Sequence, residues 1–128
     1  MKKKLLKILV IVIGILIIGG VIFKIRYDRM VRVFREEEVG TVDLQQIKDG
    51  VYPGNFGDFL VSVTLDVTVS DNRITDIEIV EQHCGPGYNA EETVDRILEA
   101  QSPYVDAVSG ATGSSRCIMI AVYKALSD

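Results

Sequence analysis

The chain of 128 residues has the length of a single domain, which excludes a second large domain. Hydrophobic residues make up 48% and charged residues 25%, as in an ordinary folded protein, and the net charge of −4 argues against a basic nucleic-acid binder. The charge is divided unevenly, because nine of the fourteen basic residues lie within residues 1–35. Residues 36–128 hold five basic and seventeen acidic residues, a net charge of about −12 that favours positively charged partners.

Residues 1–35 are predicted to form a membrane anchor with a basic juxtamembrane segment. The 19 residues from Leu5 to Phe23 are apolar apart from Lys7. As a helix they would extend about 28 Å, close to the hydrocarbon thickness of about 30 Å. A cleaved signal peptide is the alternative, but its apolar run is shorter and ends at a small-residue site that is missing here. The sequence therefore predicts an uncleaved single span.

The charges that flank the predicted span do not fix its orientation. Four lysines lie before it or in its first turn and five basic residues follow it, so the positive-inside rule is nearly balanced. The basic residues that follow it are Lys24, Arg26, Arg29, Arg32 and Arg35. These arginines recur every third residue, and on a continuing helix they would form a basic stripe that favours contact with lipid phosphates.

Residues 36–43 are interpreted as a linker, and residues 44–128 are expected to form one small domain. A turn at Asp49-Gly50 precedes a short strand over residues 51–56, which Pro53 is expected to break. The predicted class is α+β: an N-terminal transmembrane helix followed by a small antiparallel sheet with two helices.

The most distinct strand pattern begins at Val61. From there to Ser70, apolar and polar residues alternate, which predicts a strand with one buried and one solvated face. The dipeptide Asp71-Asn72 tolerates the left-handed conformation and is predicted to form a two-residue turn. Residues 73–81 supply the returning strand, with Ile77 and Ile79 on one face. The sequence thus predicts an antiparallel hairpin.

Two helices are predicted after the hairpin. The first begins at Asn89, an N-cap residue with Glu92 three positions later, and ends near Gln101 because Pro103 follows. The second covers about residues 114–126. The apolar faces are Val94, Ile97 and Leu98 in the first helix, and Cys117, Ile118, Ala121, Val122 and Ala125 in the second.

The segment from Asp106 to Ser115, between the two helices, carries the candidate chemistry. It consists of small and hydroxyl residues and leads into a helix, whose first amides lack partners and carry partial positive charge. Gly110 and Gly113 permit close approach of the backbone. Such a segment is typical of a phosphate or anion cradle, or of a hydroxyl-rich helix cap, and local chemistry leaves both open. The Gly-Lys-Ser/Thr ending of a Walker A loop is missing.

The string Asp-x-x-Ser-Gly-Ala-Thr over residues 106–112 resembles the flavinylation motif of the FMN-binding domain family. The block Asp49-Gly50-Val51-Tyr52-x-Gly54 is similar to the opening of that domain, and the hairpin follows in the expected place. Further similar blocks, around His83 and at Gln101-Ser102, extend the resemblance over residues 44–126. The family includes flavoprotein subunits of sodium-pumping NADH:quinone reductases and Rnf-type complexes, and membrane-anchored flavoproteins of extracytosolic electron transfer.

The resemblance implies that FMN is attached through its phosphate to the oxygen of Thr112. A separate flavin transferase, which uses FAD and Mg²⁺, would recognise the motif and carry out the attachment. The resemblance implies that Asp106, Ser109, Gly110 and Ala111 complete the string that the transferase recognises. The remaining cofactor-binding candidates, at the start of the predicted helix, are Gly113, Ser114 and Ser115. His83 is a further candidate for a flavin contact, although a loop histidine is more often a surface residue. Tyr52 and Tyr88 could pack on the flavin ring or simply on the protein.

The two cysteines, Cys84 and Cys117, have a spacing that fits no metal site, and none is predicted. Cys117 is expected to be a small apolar core residue, and a disulfide between the two is the less favoured alternative.

The functional prediction is a membrane-tethered electron carrier with its domain outside the cytoplasm. Its expected partners are the flavin transferase, a membrane reductase or other electron donor and acceptor proteins, and the lipid membrane, with no nucleic acid. The alternatives are a small FMN-dependent reductase that acts directly on a small acceptor, and a structural module without flavin.

Overall fold

The computed structural model describes residues 1–83 and 91–127. They form a long helix, a three-stranded antiparallel sheet and two further helices, which confirms the predicted α+β class. A single 3₁₀ turn, Leu44–Gln46, precedes the sheet. The elements are α1 (Lys2–Glu36), β1 (Gly50–Asp58), β2 (Val61–Ser70), β3 (Arg73–His83), α2 (Glu91–Ala100) and α3 (Thr112–Ser127).

Helix α1 runs without interruption through the predicted anchor and the basic segment. Its large apolar side chains from Leu5 to Phe23 are exposed, whereas Met30 and Phe34 are each only 5% exposed. Of the described helices, it is the one long and apolar enough to cross a membrane, a test that an N-terminal signal sequence also passes. The last turns of α1 are therefore part of the folded domain, while the apolar side chains of its first half are exposed.

Strand β1 continues through Pro53, so the predicted break at that residue is wrong. The strand order β1-β2-β3 places β1 at an edge of the sheet, where it pairs with β2 alone. Pro53 lies opposite Asp66 in this ladder. An edge strand tolerates proline because one side of its backbone has no neighbouring strand that needs the missing amide.

The predicted hairpin of β2 and β3 is confirmed. Asp71 and Asn72 form its turn with φ angles of 51° and 61°, the left-handed conformation expected of them. A register shift between Thr68 and Val69 adds a residue on β3, so that Ile74 and Ile77 are both buried although they are three positions apart. The buried face of β2 consists of Val63, Leu65, Val67 and Val69.

Helix α2 ends at Ala100, in agreement with the predicted end, and its predicted start at Asn89 lies outside the described residues. Gln101 follows with a φ of 54° and uses its side chain to join α2 to the sheet. Its Oε1 accepts a hydrogen bond from the amide of Ile74 at 2.8 Å, and its Nε2 donates to the carbonyl of Ile74 at 2.9 Å. The predicted apolar face, Val94, Ile97 and Leu98, packs in the core.

Helix α3 begins at Thr112, two residues earlier than predicted, and most of its side chains are buried. The predicted face from Cys117 to Ala125 is in the core, but Met119 and Ile120 are buried as well. The helix lies directly on β1 at Gly54, where a Cβ atom would come within 2.3 Å of the carbonyl oxygen of Ala121. Only glycine allows this close approach, so Gly54 sets the distance between α3 and the sheet.

We expect Gly54→Ala to destabilise the domain by about 1–3 kcal/mol, because the added methyl group forces α3 away from β1. In a domain of this size, that loss lowers the melting temperature by roughly 4–8 °C per kcal/mol. Thermal unfolding of the detergent-solubilised protein measures it. The control is Asn55→Ala, at the exposed neighbouring position of β1. Equal melting temperatures for the two variants would contradict the role of Gly54.

Candidate functional site

The side chain of Thr112 is exposed at the first residue of α3. The first backbone hydrogen bond of the helix runs from the amide of Ser115 to the carbonyl of Ala111, at 2.9 Å. The amides of Thr112, Gly113 and Ser114 precede this bond and have no partner within the helix. The Thr112 hydroxyl is therefore placed where the helix concentrates partial positive charge.

The turn before α3 buries Ala111 and leaves the hydroxyl residues on either side of it exposed. Gly110 adopts a φ of 81°, in the left-handed region, and the amide of Ala111 donates to the carbonyl of Val108 at 3.0 Å. The side chain of Ala111 is buried, whereas Ser109 and Thr112 are exposed. The backbone conformation of Gly110 thus presents both hydroxyls to the outside of the domain.

Hydrogen bonds from Ser115 and Arg96 hold this turn against the domain. Ser115 is only 1% exposed, and its hydroxyl accepts hydrogen bonds from the amide of Val108 and from the hydroxyl of Thr93, each at 3.1 Å. Arg96 on α2 donates to the carbonyls of Asp106 and Ala107, at 2.9 and 3.2 Å. The hydroxyl of Ser115 therefore supports the turn from the inside and does not face the solvent beside Thr112.

A cleft of about 650 Å³ separates this turn from α1. One side is polar and includes the start of α3, and the opposite side is largely apolar and comes from α1 and the beginning of β2. The residues that line it are Tyr27, Met30, Val31, Phe34, Arg35, Leu60, Val61, Gly110, Thr112, Gly113, Ser114 and Arg116. The cleft suits a ligand with an anionic end and a planar apolar part.

Arg116, in the second turn of α3, joins the two sides of the cleft. Its Nε donates to the carbonyl of Phe34 at 2.8 Å, and its Nη2 donates to the carbonyl of Glu37 at 2.9 Å. These carbonyls belong to the C-terminal end of α1, where a cation is favoured by the helix dipole. This link could not be predicted from the sequence, because its partners are about 80 positions apart along the chain.

Two other candidates from the sequence lie away from the cleft. His83 is exposed at the end of β3, where its Nε2 lies 2.8 Å from a carboxylate oxygen of Glu81. Tyr52 donates from its hydroxyl to the carbonyl of Lys48 at 2.6 Å, and its ring packs against the core. Neither side chain is among those that line the cleft beside Thr112.

Asp106 is exposed and borders a different depression, of about 680 Å³, together with Tyr104 and Arg96. Cys117 is buried, as predicted, and its thiol donates to the carbonyl of Phe56 at 3.2 Å. The predictions for Cys84 and Tyr88 fall outside the described residues.

The fold and the site together define a small α+β domain that presents one exposed threonine at a helix N-terminus, beside a cleft with a polar and an apolar side. The sequence model of the FMN-binding domain family matches residues 61–127, and the chain belongs to this family. This match confirms the resemblance found in the sequence.

A curated relative is similar to this chain over a small part of its own length. The chain is 30% identical over 104 residues to the NADH:fumarate oxidoreductase of Klebsiella pneumoniae (strain 342). The aligned region covers 79% of this chain but only 11% of that protein. The similarity thus concerns one module of a much longer oxidoreductase.

The residues around the cleft fit an FMN. The amides at the start of α3 suit its phosphate, as helix N-termini commonly do. Leu60 and Val61 in the same cleft offer apolar surface of the kind that flat cofactor rings bury. The cationic side chains of Arg35 and Arg116 add positive charge at the edges of the cleft.

We expect Ser115→Ala to lower the free energy of unfolding by about 1–3 kcal/mol, because it removes the acceptor of the Val108 amide and of the buried Thr93 hydroxyl. Chemical denaturation measures this loss. The exposed Ser109→Ala, in the same turn, is the control and should change stability by less than about 0.5 kcal/mol.

A double-mutant cycle with Thr93→Val tests the hydroxyl pair itself. Replacing both hydroxyls should cost less than the sum of the two single losses, because neither hydroxyl is then left buried without its hydrogen-bond partner. Strict additivity would show that the pair contributes nothing.

Proposed function

We propose that the protein is a membrane-anchored electron carrier whose FMN is attached through a phosphoester to Thr112. The observation that supports this most directly is the position of the Thr112 hydroxyl: exposed, at the start of α3, and lining the cleft. It is also the threonine of the Asp-x-x-Ser-Gly-Ala-Thr string. When bound, FMN supplies a group that accepts and passes on one or two electrons.

Each group around the cleft has a defined task in this proposal. The amides of Thr112, Gly113 and Ser114 hold the remaining negative charge of the phosphoester. The apolar residues of the opposite wall keep water away from the ring. Asp106 and Ser109 are exposed and therefore accessible to a separate flavin transferase that uses FAD and Mg²⁺.

The cleft favours an electron carrier over a reductase that acts directly on a small acceptor. No carboxylate or imidazole is among the described residues that line it, so the acid and base groups that commonly assist substrate reduction are not found there. The NADH:fumarate oxidoreductase supports the same choice, because the region similar to this chain is only 11% of its length. A module of that size is suited to passing electrons between other parts of a larger enzyme.

We further propose that α1 crosses the membrane once, with the domain outside the cytoplasm. The exposed apolar surface from Leu5 to Phe23 is costly in water and favourable in a bilayer. Because the flanking charges are nearly balanced, the orientation follows from the resemblance to anchored flavoproteins that work outside the cytoplasm. The proposed partners are a membrane reductase or other redox proteins, and the acidic body favours those with basic surfaces.

The attachment site is tested by Thr112→Ala in the full chain, produced together with a flavin transferase. The wild-type protein should gain the mass of one FMN less one water, and peptide mapping should place it on Thr112. The variant should lose the modification completely and keep its melting temperature. Thr41→Ala, which removes another exposed threonine, is the control and should leave the modification intact. Modification of the Thr112→Ala protein at another hydroxyl would refute the assignment.

The orientation is tested by adding protease to spheroplasts. We expect the domain to be digested while a fragment of α1 remains in the membrane. A cytoplasmic protein serves as the control for intact membranes. Complete protection of the domain, with digestion only after lysis, would reverse the proposed topology.

A further inference from the structure

The C-terminal part of α1 contributes one continuous face to the cleft. The five residues of α1 that line it follow the helical spacing i, i+3, i+4, i+7 and i+8, so they lie on one side of the helix. They are Tyr27, Met30, Val31, Phe34 and Arg35. Met30 and Phe34 are buried against the domain, whereas Tyr27 and Val31 keep 45% and 36% of their surface exposed. The latter two therefore have room to contact a ligand.

This wall lies outside the part of the chain that the family model matches. The match begins at residue 61, whereas α1 ends at Glu36. The polar side of the cleft, around Thr112, thus lies within the matched region, whereas the five residues that α1 adds to the opposite wall lie outside it.

Several contacts hold the wall in place. Phe34 packs on Phe56 of β1 with ring centroids 5.2 Å apart, and Arg116 binds the carbonyl of Phe34. Farther along α1, Phe23 packs edge-on against Phe59 at 5.4 Å. Tyr27 stacks on Phe23 with ring centroids 6.4 Å apart. The segment of α1 that faces the cleft is therefore fixed at both of its ends.

The guanidinium of Arg26 adds a contact to the same region, 4.7 Å from the centre of the Phe59 ring. Arg29 approaches Asp58 at 4.0 Å. These two arginines are directed to the turn between β1 and β2. Arg35 instead lines the cleft, so the four arginines of the regular stripe do not share one role.

We propose that the anchor helix forms the binding wall for the isoalloxazine ring of the flavin carried on Thr112, with Tyr27 and Val31 as ring contacts and Arg35 as a charge at the ring edge. This inference rests on the proposed attachment of FMN. The aromatic ring of Tyr27 and the methyl groups of Val31 offer the flat apolar contact that the ring requires. The fixed positive charge of Arg35 stabilises the added negative charge of a reduced flavin.

The contact of Tyr27 is tested by the fluorescence of the attached flavin, because a tyrosine in contact with a flavin quenches its emission by electron donation. The full chain is flavinylated in cells and compared at equal flavin content, established by mass. Tyr27→Leu should raise the emission intensity and lifetime severalfold. The matched control is Tyr104→Leu, which removes an exposed tyrosine from the other depression and should change neither quantity.

A conservative variant distinguishes the loss of the contact between Tyr27 and the flavin from a folding defect. Tyr27→Trp retains an aromatic electron donor and should keep the emission quenched, with the same melting temperature as Tyr27→Leu. Equal emission from wild type and Tyr27→Leu would overturn the inference while leaving the attachment at Thr112 untouched. Absence of flavin from the wild-type protein would instead overturn the proposed function, and this inference with it.

The charge of Arg35 is tested independently by the reduction potential of the attached flavin. Arg35→Gln should shift the midpoint potential to a more negative value. Arg32→Gln, an exposed arginine of the same stripe that does not line the cleft, is the control and should leave the potential unchanged. Equal shifts in both variants would show that the effect is only that of net charge, and would overturn the role of Arg35.

Discussion

The direct contact between α3 and β1 is the constraint on which the rest of the domain depends. Because Gly54 has no side chain, the backbone of α3 lies against the sheet, and the helix is buried along most of its length. A helix held this firmly also fixes the position of its first turn. The exposed hydroxyl of Thr112 is thus supported by a core of apolar contacts, and the hydrogen bonds of Ser115 and Arg96 need only shape the turn that precedes it.

The same helix holds the end of the anchor. Arg116 follows Thr112 by one turn and binds two carbonyls at the C-terminus of α1. One short stretch of α3 therefore carries both the candidate attachment point and the connection to the opposite wall of the cleft. A change in the packing of α3 would therefore affect both features.

The sequence predicted those structural features that a few neighbouring residues determine. The alternation from Val61 to Ser70, the left-handed preference of Asp71-Asn72 and the small residues before Thr112 each act over a few positions, and the hairpin and the turn were placed correctly. The predictions that failed depend on what an element packs against, and not on its own residues. Pro53 does not break β1, because an edge position leaves one side of its backbone free of a partner strand. The part played by α1 in the cleft arises from contacts across most of the chain, and no spacing in the sequence encodes them.

The continuity of α1 has a consequence for where electrons can be exchanged. Phe23 is the last residue of the apolar run and Val31 lines the cleft, so eight residues of helix, about 12 Å, separate the two. With α1 crossing the bilayer as proposed, the cleft is held at a set height at the membrane surface. A domain on a flexible tether would sweep a large volume, but this one can only travel laterally and rotate about its helix. Redox partners must then hold their own redox centres at the same height above the membrane. Proteins that remain farther from the membrane cannot exchange electrons with the cleft.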